Sequence, residues 1–182
     1  MKILLAGGSK SGKSMLAQRL VRRLAGSGPM YYWATMEPTD EEDKARIKNH
    51  IAERAGWGFE TIECGSGLKR MLPLQPGASV LFDSVTAFVA NEMFKGGRAV
   101  EGAFEASLKE LSELIESVDN IVFVCDEVFR DGEEYGSLTE EYRKNLALIC
   151  RELAQRCDAV CEVVCGKAHA VKGSLPRMEE SV

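Results

Sequence analysis

The stretch "LLAGGSKSGKSMLAQRL", residues 4–20, contains the spacing Gly-x-x-x-x-Gly-Lys-Ser. A short apolar run over residues 2–6 leads into it and predicts a buried strand. Apolar residues at helical spacing over residues 14–24 follow it and predict an amphipathic helix. Between a strand and a helix, this spacing forms a loop whose backbone N–H groups and helix N-terminus point at phosphate oxygens. A chance Gly/Ser/Lys turn would lack that context, so the stretch predicts a nucleotide-binding loop.

The whole loop is expected to bind the nucleotide. Its candidate ligands are Gly7, Gly8, Ser9, Lys10, Ser11, Gly12, Lys13 and Ser14. In such a loop the lysine reaches the terminal phosphates and the hydroxyl binds Mg²⁺, so we expect Lys13 to act in catalysis and Ser14 to be a metal ligand. GTP and ATP both remain possible substrates, because the loop does not identify the base.

Acidic residues end two other apolar runs. Asp83 closes "VLFD", and Asp126 with Glu127 closes "VFVCDE". A carboxylate at a strand end next to a phosphate loop commonly serves Mg²⁺, and it can also simply cap the following turn or helix. We expect Asp83 to bind Mg²⁺ and nucleotide and Glu127 to bind nucleotide, while the choice of metal ligand among the three acids stays open.

A charged helix is predicted from a capping box at Thr39 to about Arg54. Residues four apart share a helix face, so Arg46, His50 and Arg54 form one stripe. Two guanidinium groups suit polyphosphate recognition and favour a neutral imidazole between them, which could attack phosphorus. The alternative is an ordinary histidine on a solvated helix. His169, in a Gly/Lys-rich segment, is expected to be a surface residue.

The alternation of strands and helices predicts an α/β fold, with a largely parallel sheet covered by helices on both faces. With the phosphate loop, this is a P-loop NTPase-like architecture, expected as a single domain over residues 1–174 with a flexible tail at 175–182. The predicted strands are 2–6, 30–35, 59–63, 78–83, 120–127 and 159–166, and the predicted helices are 14–24, 39–54, 84–94, 100–117 and 138–157.

Composition narrows the function classes. The chain has 182 residues, a net charge of −5 and 28% charged residues, which disfavours nucleic-acid coating and membrane insertion. Its six cysteines lack a compact framework spacing and suit a reducing cytoplasm. Cys157, Cys161 and Cys165 recur every four residues but cross from a helix to a strand, so we do not expect them to bind one metal.

Several of these motifs together resemble one enzyme family. The phosphate loop, "YWAT" (32–35), "RI" with His50 and Arg54 in the 46–54 segment, "LFDSVT" (81–86) and Asn91 are similar to the bifunctional adenosylcobinamide kinase/adenosylcobinamide-phosphate guanylyltransferases. In that family the corresponding segments read Gly-Gly-x-Arg-Ser-Gly-Lys-Ser, Tyr-x-Ala-Thr and Arg-Ile-x-x-His-x-x-x-Arg. The resemblance spans most of the chain.

The resemblance implies a role in assembling the nucleotide loop of coenzyme B12. One reaction phosphorylates the aminopropanol hydroxyl of adenosylcobinamide, and the other transfers GMP from GTP to that phosphate through a guanylylated His50. It adds Thr35, Arg46, Arg54 and Glu63 to the expected nucleotide ligands, with a corrinoid as the acceptor. It also implies a homo-oligomer, a trimer with the active site near a subunit interface.

The chain departs from the family pattern, mainly in its C-terminal third. The departures are Lys10 for Arg, Ala55 for Pro, "DEVF" (126–129) for Asn-Glu-Val-Gly, "RDGEEYGS" (130–137) for a segment with Gly-x-Val-Pro, Glu140 for Arg, Ala147 for Gly and Cys150 for Asn. Two alternatives therefore stay open: a P-loop small-molecule kinase without guanylyltransferase activity, and a degenerate GTP-binding regulatory paralogue.

Overall fold

The computed structural model describes residues 1–38, 41, 45, 47–48, 51–52, 54–94, 99–130 and 132–177. Its strands are β1 (Lys2–Gly7), β2 (Met30–Ala34), β3 (Phe59–Glu63), β4 (Ser79–Asp83), β5 (Asn120–Asp126), β6 (Ala159–Val164) and β7 (Lys167–Lys172). Its helices are α1 (Lys13–Ala25), α2 (Val85–Met93), α3 (Ala103–Ser117) and α4 (Ser137–Arg156), with a 3₁₀ helix at Leu68–Met71. Residues 41, 45, 47–48 and 51–52 are also helical.

The seven strands form one sheet in the order β3-β2-β4-β5-β1-β6-β7. All neighbours run parallel except β7, which is antiparallel to β6. The predicted largely parallel α/β sheet is therefore confirmed. The strand that leads into the phosphate loop, β1, lies between β5 and β6, so the carboxyl ends of these two strands flank the loop.

Hydrophobic cores lie on both faces of the sheet. On one face, Ala17, Leu20 and Val21 of α1 pack against side chains that include Leu5 and Leu81. On the other face, α2, α3 and α4 pack over a cluster of buried aromatic and aliphatic residues. Burial on both faces explains why the central strands read as nearly continuous apolar runs.

An aromatic cluster anchors β4 in the second core. The Phe82 ring lies 5.5 Å from the Phe123 ring, 5.8 Å from the Phe88 ring and 6.1 Å from the Trp33 ring, measured between centroids. The indole N–H of Trp33 donates to the carbonyl of Cys64, so its one polar group is satisfied inside the core. This packing fixes the strand ends where the acidic residues stand.

The sequence prediction missed β7. The sequence analysis predicts no strand or helix after residue 166, whereas Lys167–Lys172 pairs with β6. All six residues of β7 are exposed, so the strand carries no buried apolar run that could announce it. His169 lies on this strand and is exposed, as expected.

Other boundaries differ little from the prediction. α3 begins at Ala103 and not at residue 100, and β6 ends at Val164 and not at residue 166. Cys157, Cys161 and Cys165 fall after α4, within β6 and in the turn that follows it.

The predicted capping box at Thr39, the turn at 96–98 and the last five residues lie outside the described residues, and the proposed division at residue 174 stays a prediction. No helix among the described residues is long and apolar enough to cross a membrane.

Candidate active site

The phosphate loop connects β1 to α1 and adopts a conformation that needs its glycines. A Cβ on Gly7 would lie 2.4 Å from the carbonyl oxygen of Val163 in β6, too close for any side chain. Gly12 has φ of +96° and stands directly before the first residue of α1, where a left-handed residue turns the chain into the helix. Residues 8–10 are exposed, and Ser14 lies in the first turn of α1.

Lys13 points back into the loop that it follows. Its Nζ lies 3.0 Å from the Gly7 carbonyl oxygen, 2.6 Å from the Gly8 carbonyl oxygen and 2.8 Å from Oδ1 of Asp126. The side chain is almost fully buried. The ammonium group is therefore held at the mouth of the loop, where a nucleotide's terminal phosphates would arrive.

Asp126 reaches Lys13 because β5 is hydrogen-bonded directly to β1. Asp126 is the register partner of Gly7, and its backbone N–H donates to Oγ1 of Thr86 at 2.8 Å. Asp83 ends β4, one strand further from the loop, and its Oδ2 accepts the hydroxyl of Tyr32 at 2.8 Å. The sequence predicts both acids at strand ends, and the strand order shows that Asp126 contacts Lys13 while Asp83 contacts Tyr32.

Two further carboxylates, those of Glu127 and Glu162, lie on either side of β1, one just after β5 and the other in β6. The backbone N–H of Glu127 donates to the Gly7 carbonyl, and its side chain accepts from Arg130 at 3.0 Å. Arg130 also donates to Glu162 of β6 at 2.6 Å. These hydrogen bonds raise the pKa of Arg130 above its usual value, and the bond to Glu162 contributes more than the bond to Glu127. Arg130 thus links the ends of β5 and β6 across β1, a connection that sequence spacing gave no means to find.

The turn between β6 and β7 also supports the loop. The N–H of Gly166 donates to the Ser11 carbonyl at 2.9 Å. A Cβ on Gly12 would lie 3.3 Å from Cα of Gly166, which shows how closely the two backbones approach. The hairpin that the sequence prediction missed is therefore part of the loop's surroundings.

A cavity of about 400 Å³ opens beside Asp83. Its polar lining includes Tyr32, Arg54, Glu63 and Asp83. The Arg54 guanidinium lies 3.9 Å from the centroid of the Tyr32 ring and donates to Oγ1 of Thr61 at 3.2 Å. The cavity therefore brings together three residues that the sequence analysis named, Arg54, Glu63 and Asp83, at the carboxyl ends of β3 and β4.

Thr35 is placed differently. It is fully buried, and its hydroxyl donates to the Ser84 carbonyl at 2.7 Å while accepting the Ser84 N–H at 2.7 Å. Asn91 donates to the Thr35 carbonyl at 2.7 Å and to the Gly65 carbonyl at 3.0 Å. The side chain of Thr35 thus joins the ends of β2 and β4, and it does not line the cavity.

His50 and Arg46 lie outside the described residues, so their side chains are not placed. Ile47 and Arg54, which flank His50 in the sequence, both line the cavity. The site that can be built from the described residues therefore has two parts, the phosphate loop with Lys13 and Asp126, and the cavity beside Asp83.

Comparison with known proteins finds relatives that match nearly the whole chain. The family model described as "Cobinamide kinase / cobinamide phosphate guanyltransferase" matches residues 3–171. The chain is 32% identical to the bifunctional adenosylcobalamin biosynthesis protein CobP of Pseudomonas aeruginosa, over 95% of this chain and 98% of that one. It is 30% identical to the bifunctional adenosylcobalamin biosynthesis protein CobU of Salmonella typhimurium, over 94% of this chain and 100% of that one.

Among solved structures, an ATPase from a bacterial type III secretion system superposes with a TM-score of 0.50 at 14% identity. The match covers 88% of this chain and 50% of that one. At this sequence identity it supports the P-loop fold and nothing about function. The nearly full-length family match and the relatives at about 30% identity decide the assignment. The chain belongs to the cobinamide kinase/cobinamide phosphate guanyltransferase family.

Proposed function

We propose that this chain phosphorylates adenosylcobinamide and then transfers GMP from GTP to the resulting phosphate, in the assembly of the nucleotide loop of coenzyme B12. The observation that carries the proposal is the phosphate loop with its buried Lys13, in a chain that also has a cavity beside Asp83 and matches the family over residues 3–171. The loop supports binding of nucleotide phosphates, and family membership supports a corrinoid as the acceptor.

For the kinase step, the protein's task is to position the acceptor hydroxyl and to stabilise spreading negative charge. Lys13 and the loop's N–H groups hold the terminal phosphates of GTP or ATP. The aminopropanol hydroxyl attacks the γ-phosphorus and gives its proton to solvent, and the nucleoside diphosphate leaves. No covalent enzyme intermediate is needed.

For the guanylyl step, an imidazole nitrogen of His50 attacks the α-phosphorus of GTP and pyrophosphate leaves. The phosphate oxygen of adenosylcobinamide phosphate then attacks the phosphorus of the His–GMP adduct, which breaks the P–N bond and returns the imidazole. Arg54 lines the cavity, and Ile47 shows that the same segment borders it on the other side of His50 in sequence. This proximity favours the cavity as the place where His50 acts.

Mg²⁺ fits the oxygen donors around the loop. It prefers carboxylate and hydroxyl oxygens, and the Ser14 hydroxyl with the carboxylates of Asp83, Asp126 or Glu127 provides them. Bound there with the nucleotide, it would neutralise phosphate charge. We propose Ser14 and Asp83 as its protein ligands.

The remaining assignments rest on family resemblance. We propose a homo-oligomer, a trimer, that acts in the cytoplasm with the site close to a subunit interface. β7 is exposed and lies at the edge of the described sheet, so the side of it that faces away from β6 is available for contact in such an assembly.

Product analysis tests the function directly. The purified protein is incubated with adenosylcobinamide, GTP and Mg²⁺, and the corrinoids are followed by mass spectrometry over time. We expect adenosylcobinamide phosphate to appear first and its GMP adduct, adenosylcobinamide-GDP, to accumulate after it. Accumulation of the phosphate alone would support a kinase without guanylyltransferase activity. Unchanged adenosylcobinamide would contradict both activities.

A further inference from the structure

The Lys13 ammonium is saturated before any nucleotide arrives. An ammonium group has three donors, and three oxygens lie within 3.0 Å of this one, the Gly7 carbonyl, the Gly8 carbonyl and Oδ1 of Asp126, with the Ser11 hydroxyl oxygen further away at 3.4 Å. Among the described residues, Asp126 is the only carboxylate paired with Lys13. A phosphate oxygen can bond to the lysine only by replacing one of these partners.

Asp126 is the partner that can be replaced. The two carbonyls belong to the loop backbone, and that of Gly7 also accepts the N–H of Glu127. The Asp126 side chain is 37% exposed, so its carboxylate can turn toward solvent. Its backbone cannot follow, because it pairs with Gly7 and donates to Thr86.

A displaced Asp126 carboxylate therefore stays close to the incoming phosphates. Two negative groups a few ångströms apart repel each other strongly near a protein surface. Arg130 is already paired with both Glu127 and Glu162, so it does not replace Lys13 as the counter-charge of Asp126 once a phosphate takes the lysine. A triphosphate with a bound divalent cation brings less net charge and suffers less repulsion.

We infer that Asp126 makes the phosphate loop select Mg²⁺-complexed nucleotide over free nucleotide. It does so by holding Lys13 in the absence of ligand and by repelling a triphosphate whose charge is not neutralised. Asp126 is thus a specificity-determining residue and takes no part in bond making. The inference rests on the proposed nucleotide binding, and it concerns which form of the nucleotide the loop accepts.

Nucleotide binding, measured without turnover, tests the inference. The α,β-methylene analogue of GTP is titrated into wild type and Asp126→Asn by calorimetry, once with Mg²⁺ and once with EDTA. Asparagine keeps the size of the side chain and an oxygen that can accept from Lys13, and it removes the charge. We expect the substitution to tighten binding in EDTA by about ten-fold, and to change binding in Mg²⁺ by less than about three-fold.

Glu162→Gln is the matched control. It removes one carboxylate from the other strand beside β1, where the partner is Arg130 and not Lys13. We expect it to leave the ratio of the two dissociation constants within about two-fold of wild type, since an exposed ion pair contributes little. Asp126→Ala serves as a second variant, and the thermal midpoint of each protein verifies folding.

The outcomes separate this inference from the proposed function. An EDTA-to-Mg²⁺ ratio of dissociation constants that is equal in wild type, Asp126→Asn and Asp126→Ala would overturn the inference while leaving nucleotide binding intact. An equal drop in that ratio for Glu162→Gln would overturn it too, because the effect would then be one of net charge. A folded wild type that binds the analogue in neither condition would contradict the proposed function itself.

Discussion

At the scale of single residues, Lys13 carries the greatest weight in the proposed chemistry. Its ammonium is buried, fixed by backbone carbonyls and aimed into the phosphate loop. We expect Lys13→Ala to lower turnover by ~10²–10³, because one preorganised charge that meets developing negative charge is removed. Steady-state formation of nucleoside diphosphate measures the change.

Arg19→Ala is the matched control for Lys13→Ala. Arg19 is an exposed cation on the same helix, α1, so its removal changes the net charge equally without touching the loop. We expect near wild-type turnover from it. Near wild-type turnover from a well-folded Lys13→Ala protein would instead contradict the role of the loop.

Asp83 provides the second prediction at this scale. Asp83→Asn should raise the Mg²⁺ concentration required for half-maximal activity, because a carboxylate that holds the ion or its water shell becomes neutral. Tyr32→Phe removes the hydroxyl that donates to Asp83 and leaves the carboxylate, so its Mg²⁺ titration should stay close to wild type. An unchanged titration for Asp83→Asn would move the metal role to Asp126 or Glu127.

The limits of sequence reasoning are visible in these same residues. The motif spacing was sufficient to single out Lys13 and Ser14, because both are defined by their place in one continuous segment. The contact between Lys13 and Asp126 joins residues 113 positions apart and depends on β5 being the neighbour of β1. Strand order is a tertiary property, so three acids at strand ends could be named but not ranked.

At the scale of secondary structure, the β6–β7 hairpin is the element that changes the description of the site. Its turn donates the Gly166 N–H to the Ser11 carbonyl and packs against Gly12. β7 reads Lys-Ala-His-Ala-Val-Lys and none of its residues is buried, so burial patterns could not predict the strand. The hairpin therefore contacts the phosphate loop at Ser11 and Gly12.

Gly166→Ala tests this support. Gly166 has φ of +76°, so alanine should destabilise the fold by about 1–2 kcal/mol and shift the turn away from Ser11. We expect weaker nucleotide binding in addition to the lower thermal midpoint. Calorimetric titration and thermal unfolding measure the two effects on the same samples.

Gly102→Ala separates the two effects. Gly102 has φ of +74° and precedes α3, and a Cβ there meets nothing within 4 Å. It should lower stability by a similar amount and leave nucleotide affinity unchanged. Equal affinities for the two variants would show that the hairpin has no part in positioning the loop.

At the scale of the whole molecule, the sequence predicted the layers but not their order. Alternating apolar runs and amphipathic stretches were enough to predict one parallel sheet with helices on both faces. The spacing of apolar residues within each strand or helix depends on which face of that element is buried, and it can be read from a short segment of sequence. The order β3-β2-β4-β5-β1-β6-β7 follows from packing between distant segments. This order sets the loop beside Asp126 and leaves Asp83 one strand further away, next to the cavity.

Some departures in the C-terminal third are accommodated by the packing. Cys150 lies with its Sγ 3.1 Å from that of Cys125 inside the core, and Glu140 pairs with Arg143 at 2.6 Å. These contacts tie α4 to β5 and to its own first turn. These two departures are therefore accommodated by contacts within the packed α/β sheet.

The central claim is that His50 carries GMP during the reaction, and intact mass measurement after exposure to GTP and Mg²⁺ tests it most directly. The wild-type chain should gain the mass of one GMP, in a phosphoramidate that is labile in acid and stable in mild base. His50→Ala should abolish the adduct and His169→Ala should retain it, because His169 lies exposed on β7. Arg46→Ala and Arg54→Ala should slow its formation without preventing it, because in the proposed mechanism these arginines orient and neutralise the phosphates without forming the bond. A folded, Mg²⁺-supplied wild type that gains no GMP, or a His50→Ala variant that still gains it, would contradict the account.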